Sequence, residues 1–333
     1  PPRSTLFPYT TLFRSMCATL AKKTGRPVKL MLDRYEDSVM AGNKPSAKMS
    51  VKIGAKKDGT LTAIYAKIQN IPGHTGGASA AQPFFDHYDC PNVKVEEQNV
   101  YINSGASRAF RAPGRPQGSF GLEMALDDLA QKLDMDPYEL RAKNLSGTLY
   151  KAIPFELQLG AERFEWKAKY QKRNTKTGRI RKGVGCAVTT WGATGNPGGA
   201  TVRCTIHTDG TVEIANSVQD LGTGCRTMMA ITAAEELGLD VQAIKITIGD
   251  SSLGLPGPAS GGSTTTPTVS PAVRSAAYQA KNKLFEKVAE KWGTSVDDIE
   301  CNEGQVYSKS DTKKTMDWKK AFALLRSGPI VTM

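Results

Sequence analysis

The chain has 333 residues, is 39% hydrophobic and carries a formal charge of +12, so it can bury one large core or two ordinary ones, and two is the better expectation at this length. It has no run of about 18 apolar residues, so no membrane-spanning helix is expected. Much of the positive charge falls in one aromatic-poor stretch, which reads as a solvated linker and gives no reason to expect nucleic acid as a partner.

In chain order, residues 1–15 contain three prolines and show neither a helical period nor the layout of a signal peptide. They look like a translated adapter tail rather than part of the fold. Cys17 to Lys23 reads as the end of a helix stopped by Gly25. Val28–Leu32 reads as a strand. Met49–Ile53 and Leu61–Tyr65 alternate on either side of Asp58-Gly59, which predicts a hairpin, and Val93, Val95, Val100 and Ile102 continue the β pattern. A stiff loop follows, Ser107 to Gln117, with two prolines and a glycine. It holds Arg108, Arg111 and Arg115, any of which could face an anion or simply be solvated. Helices are predicted through Leu122–Leu133, from Asp136-Pro137 to Lys143, and over Phe155–Trp166.

The basic linker occupies 167–182 with Lys167, Lys169, Lys172, Arg173, Lys176, Arg179, Arg181 and Lys182. Beyond it, strands are expected near Val184–Thr190, Ala200–Thr208, Thr211–Asn216 and Ile244–Ile248. Between the last two lies a turn, Asp220-Leu221-Gly222-Thr223-Gly224, leading into an apolar helix whose first N–H groups have no internal partner. Such a turn suits an anion or a polar cofactor edge, though it also serves simply to end a strand. A second loop, Gly257 to Thr268, is rich in hydroxyls and uncharged, and a helix is expected from about Ala272 to Lys291. A last helix begins near Asp317.

Six scattered cysteines form no Cys-x-x-Cys pair, which argues against a zinc or iron–sulfur site within this chain. They fit a reducing cytoplasm and leave the periplasm open. His74, His87 and His207 are dispersed and read as surface or strand residues rather than ligands.

Several motifs in a fixed order carry a resemblance. They are Arg108-Ala-Phe-Arg-Ala-Pro-Gly114 with Leu122-Glu123, Asp136-Pro137 through Arg141 and Asn144, then Gly183-Val-Gly185, Gln219 to Gly224, Ala233 to Gly238, Gly249-Asp-Ser251, Gly261-Gly-Ser263 and Pro271-Ala-Val273. From Met16 to Met333 the chain resembles the molybdopterin-binding large subunit of the xanthine dehydrogenase and aldehyde oxidoreductase family.

The resemblance implies an α+β fold of two similar subdomains, each a mixed β-sheet packed by helices, over 16–166 and 183–333. It implies hydroxylation of an aldehyde or an aromatic N-heterocycle with water-derived oxygen at a molybdenum–molybdopterin centre, the cytosine dinucleotide form of the pterin being one option. The implied partners are an iron–sulfur subunit or domain and a FAD subunit. By the same resemblance Arg111, Leu221, Gly222, Thr223, Gly262, Ser263 and Thr265 bind the cofactor. Pro113 stands where xanthine-type members carry a stacking aromatic, and Pro113 and Trp191 would border the substrate. No side chain here is expected to ligate the metal directly. The family's glycine-rich segment is expected before Met16 and its glutamate-bearing segment after Met333, so none of this chain's glutamates is given the catalytic role and the chain alone is expected to be inactive. Two other readings are a non-catalytic assembly subunit and a dinucleotide-binding oxidoreductase. The second fits poorly, because Gly222-x-Gly224 lacks the third glycine at Rossmann spacing.

Overall fold

The computed structural model describes residues 8–77, 79–145, 151–172, 179–192, 199–325 and 328–333. The chain forms two compact units, Pro1–Trp191 and Gly192–Met333.

The first unit opens with α1 (Pro8–Thr24), which ends where Gly25 takes φ +65° and donates its N–H to Ala21. Pro8–Ser15, read from the sequence as lacking a helical period, is continuous with this helix, while residues 1–7 lie outside the described residues. The expected strand Val28–Leu32 joins no ladder; Met31 is 83% exposed, and no neighbouring strand takes up its backbone. One turn of helix, α2 (Arg34–Glu36), is closed by reciprocal bonds between Asp33 and Glu36.

The hairpin forms as expected from β1 (Ser46–Ala55) and β2 (Leu61–Ile71), with Gly59 at φ +86° in the turn. After α3 (Pro83–Asp86), β3 (Val93–Asn99) pairs parallel to β2 and completes a mixed sheet of order β1-β2-β3. Ile64, Ala66 and Ile68 alternate onto one face, where they are buried with Leu122, Leu126 and Ala130 of α4 (Arg115–Lys132) and Leu140 of α5 (Pro137–Lys143). Two shorter helices, α6 (Ile153–Phe164) and α7 (Trp166–Lys169), follow. Lys167 and Lys169, assigned to the linker from sequence, belong to α7, and residues 173–178 of that linker lie outside the described residues.

A buried polar network joins these helices. Arg141 has no exposed surface; its Nε donates to Glu123 Oε2 at 2.7 Å and its Nη1 pairs with Asp127 at 2.8 Å. Glu123 also accepts from the Tyr88 hydroxyl (2.8 Å) and the Val188 N–H (3.1 Å). Asn144 accepts from Leu61 N–H and donates to the Gly59 and Leu140 carbonyls, tying the hairpin turn to α5. Glu123, Arg141 and Asn144 therefore hold the fold. The strand expected at Val184–Thr190 is absent, and the Val188 N–H goes to Glu123 instead of a ladder.

The second unit runs β4 (Arg203–Ile206), β5 (Val212–Asn216), α8 (Cys225–Leu237), β6 (Ile244–Ile248), α9 (Thr265–Trp292), β7 (Ile299–Asn302), β8 (Gln305–Ser308), β9 (Thr315–Asp317), α10 (Trp318–Phe322) and β10 (Ile330–Thr332). One sheet has the order β10-β4-β5-β6, with β5 and β6 parallel and the other pairs antiparallel; β7-β8-β9 form a small antiparallel sheet. Buried positions of α8 and α9, among them Met229, Ala233, Val269, Val273, Ala276 and Ala280, cluster with Val212 and Ile214 of β5.

Helix α9 starts at Thr265 and continues through Pro271 instead of beginning after it. Pro267 lies in the first turn, where its missing N–H costs nothing, while Pro271, inside the helix, forfeits the bond to the residue four before it and sets its ring against that residue's carbonyl. Val269 and Val273, both fully buried, hold the segment in place. Among the described residues, no helix is long and apolar enough to cross a membrane.

Candidate functional site

In the second unit, β5 and β6 are parallel, so the segments that follow them leave the sheet at the same edge, where open α/β sheets bind ligands. The Gln219–Gly224 turn follows β5 and the Gly257–Thr264 loop follows β6. They are joined directly, because Ser260 Oγ lies 3.1 Å from both the carbonyl and the side-chain oxygen of Gln219. Beneath them the buried Asn216 side chain donates to Thr201 and Pro256 carbonyls at 2.7 and 3.1 Å and accepts from Val218 N–H at 2.8 Å. A Cβ on Gly257 would lie 2.6 Å from Asn216 Oδ1, so only glycine lets the loop come this close.

Gly222 and Gly224 have φ of +89° and +80°, and a Cβ on either would meet nothing within 4 Å. Their conformation requires glycine, and the space beside them is open. Gly262 (φ +61°) is similar, with only Thr264 Cγ2 at 3.8 Å, and Ser263 adopts φ +57°. A non-glycine residue held there costs on the order of 1–2 kcal/mol. Leu221, Gly222, Thr223, Gly262 and Ser263 are exposed, and Thr265 is the first residue of α9.

The sequence reading left the amides before α8 without an internal partner, and here the structure differs. Asp220 Oδ1 accepts from Gly222, Thr223 and Gly224 N–H at 2.9, 3.0 and 3.2 Å, and Oδ2 accepts from Arg226 N–H at 3.1 Å. The Arg226 bond first, and then the three turn amides, hold the Asp220 carboxyl below the usual carboxylate range. An aspartate placed just before a glycine turn is a capping signal the sequence did contain.

In the first unit, Arg111 and Ala112 adopt φ +43° and +56°, followed by Gly114 at +78°, whose Cβ would fall 1.9 Å from the Ser79 carbonyl oxygen. The three loop arginines separate. Arg115 is buried and bonds to Asp86 at 2.5 Å and to Thr190 Oγ1 at 2.6 Å, with its Cζ 5.7 Å from the ring centre of Trp191. Arg108 bonds to the Ser107 carbonyl, and its backbone N–H to Asn43. Arg111 is exposed, and Pro113, two residues on, is half-buried. Lys44 donates to the Arg111 carbonyl at 2.9 Å, and its pKa is lowered by burial and then by the Arg111 charge. No sequence spacing could have linked Lys44 to this loop. Trp191 is 39% exposed.

Open glycine faces, exposed hydroxyls and an uncharged Gly257–Thr268 run fit a large polar cofactor that approaches backbone closely. The chain matches the molybdopterin cofactor-binding domain over residues 9–145 and a second molybdopterin cofactor-binding domain over residues 159–330. It is 30% identical over 306 residues to the aldehyde oxidoreductase molybdenum-binding subunit PaoC of Escherichia coli K12, covering 87% of this chain and 40% of that protein. It is 28% identical over 319 residues to the probable hypoxanthine oxidase XdhD of the same organism, covering 87% of this chain and 33% of that one. The fold matches quinoline 2-oxidoreductase from Pseudomonas putida 86 with a TM-score of 0.74 at 17% identity, over 95% of this chain and 46% of that one. The chain thus spans less than half the length of these relatives, and it belongs to the molybdopterin-binding large-subunit family of the xanthine dehydrogenases and aldehyde oxidoreductases.

Proposed function

We propose that this chain is part of the cofactor-binding subunit of an enzyme that hydroxylates aldehydes or aromatic N-heterocycles. In this reading Leu221, Gly222, Thr223, Gly262, Ser263 and Thr265 hold the pterin cofactor and Arg111 contacts it. The supporting observation is the pair of glycine-hinged loops, bonded to each other through Ser260 and Gln219 at the carboxyl ends of parallel strands, with open space beside Gly222, Gly224 and Gly262. The bound molybdenum–molybdopterin group supplies the redox chemistry that puts water-derived oxygen on the substrate carbon. The chain's own residues bind and orient.

The buried Glu123 is already engaged, since it is bonded to Arg141, Tyr88 and the Val188 N–H. We assign the base role to no glutamate of this chain. Pro113 offers no aromatic face for a purine, so an aldehyde or a simpler N-heterocycle, bordered by Pro113 and Trp191, is the substrate class put forward. An iron–sulfur subunit or domain, with a FAD subunit beyond it, would receive the electrons, and the cytoplasm is the compartment suggested.

The test is loading. The chain is produced with molybdenum cofactor supply, and molybdenum and oxidised pterin are counted per chain; the mass of the released cofactor distinguishes the pterin from its cytosine dinucleotide form. The wild-type chain should carry pterin, and the double variant Gly222→Val/Gly262→Val should carry about tenfold less, a β-branched residue being strongly disfavoured at positive φ. Equal loading, or none in the wild type, would refute the reading. Dye-linked oxidation of benzaldehyde and isoquinoline by the loaded chain should be slow, because a general base contributes about 10²–10⁴ in rate and this reading assigns that role to none of the chain's glutamates. Turnover that a glutamate-to-glutamine substitution in this chain lowers by about 10² or more would show that one of its own glutamates serves as the base.

A further inference from the structure

Backbone N–H groups that converge on one point form a concave anion site of the sort that takes phosphate in many proteins. In the turn before α8 the N–H groups of Gly222, Thr223, Gly224 and Arg226 converge this way, and the anion they hold is the chain's own Asp220. Two consequences follow for any ligand. A phosphate reaching the turn would find its donors taken and a fixed negative charge beside them. What the turn keeps available are acceptors: among the described residues, no backbone hydrogen bond outside regular helices and strands reaches the carbonyls of Leu221 or Gly222. Leu221 itself is 68% exposed and the space beside Gly222 is open, so both carbonyls belong to an accessible stretch of backbone.

We propose that Asp220 is a positioning residue of the cofactor site. It fills the amide nest from within, holds the Gly222–Gly224 turn in its left-handed conformation, and leaves the turn to meet N–H donors of a pterin ring through backbone carbonyls while rejecting phosphate. This rests on the functional reading above, and it adds which edge of the cofactor the turn recognises.

The experiment follows the four amide resonances of ¹⁵N-labelled full chain. In the wild type, millimolar inorganic phosphate should leave the Gly222, Thr223, Gly224 and Arg226 amides unmoved. In Asp220→Ala, which empties the nest, phosphate and acetate should each shift all four. Pterin loading should fall about tenfold in Asp220→Ala and recover in part when acetate is added, since a small carboxylate restores the missing acceptor. Rescue by acetate is an effect that a general loss of folding would not show. Should Asp220→Ala not fold, Asp220→Asn keeps an oxygen for the three turn amides but sets an NH2 donor against the Arg226 N–H, so phosphate should then move the Arg226 amide alone, and an unmoved Arg226 amide would overturn the filled nest. Wild-type amides that respond to phosphate as strongly as the variant's would overturn the filled nest. Full pterin loading in Asp220→Ala would overturn the positioning role. A wild-type chain without pterin would overturn the functional reading, while the phosphate comparison still decides the nest on its own.

Discussion

The imidazole of His87 is fully buried at the end of α3, and neither ring nitrogen has a hydrogen-bond partner among the described residues. Burial lowers its pKa from 6.5 to about 4, against the opposing pull of Asp86, whose carboxylate lies 3.9 Å away, and with Arg115 adding to the depression. The folded state therefore keeps His87 neutral where the unfolded chain would protonate it. Its contribution to stability is fully present above pH 6.5 and is lost as pH falls towards 4, on the order of 3 kcal/mol over that window. Urea midpoints measured from pH 7 to 4.5 should show this slope, and His87→Leu should flatten it; an unchanged slope would mean that other groups set the acid limit. The sequence reading took His87 for a surface or strand residue: its neighbour Asp86 is polar, and the distant Arg115, which pairs with Asp86 and acts on His87, could not be placed there from spacing. Arg141 behaves differently. Arg141→Ala strands the Glu123 carboxylate in the core and should cost about 3–5 kcal/mol in denaturant unfolding, whereas replacing both partners by Met and Leu should cost much less.

Among the elements, two glycines with nearly the same φ separate conformational strain from crowding. Gly114 (φ +78°) has the Ser79 carbonyl oxygen 1.9 Å from where a Cβ would sit, and Gly222 (φ +89°) has nothing within 4 Å. Gly222→Ala should therefore cost only the left-handed strain, about 1–2 kcal/mol, and Gly114→Ala distinctly more, because backbone must move. Calorimetry on the two variants checks the order; equal losses would contradict the close approach. The β1–β2 hairpin, β5, β6 and α4 were legible because alternation or helical period met clear turn residues. The strands expected at Val28–Leu32 and Val184–Thr190 failed because an apolar pattern supplies no ladder partner by itself: Val28–Leu32 stays largely exposed, and the Val188 N–H goes to Glu123. The β7–β8 hairpin went unseen although Glu303-Gly304, both at positive φ, form its turn. The start of α9 was hidden by Pro271, which the buried side chains around it override.

At the level of the whole molecule, family membership was legible because motif residues recur in order through both units, yet those residues do two kinds of work. Glu123, Arg141 and Asn144 hold the first unit together, whereas the glycine turn and hydroxyl loop stay open in the second. Spacing alone could not tell these apart; hydrogen-bond partners do. The most direct measurement is a crystal structure of the cofactor-loaded chain, with the metal located by anomalous scattering at the molybdenum edge. The account predicts pterin density within hydrogen-bonding distance of the Leu221–Thr223 and Gly262–Thr265 backbone, with Asp220 still bonded to its four amides. Pterin bound elsewhere, with both loops facing solvent, would contradict it.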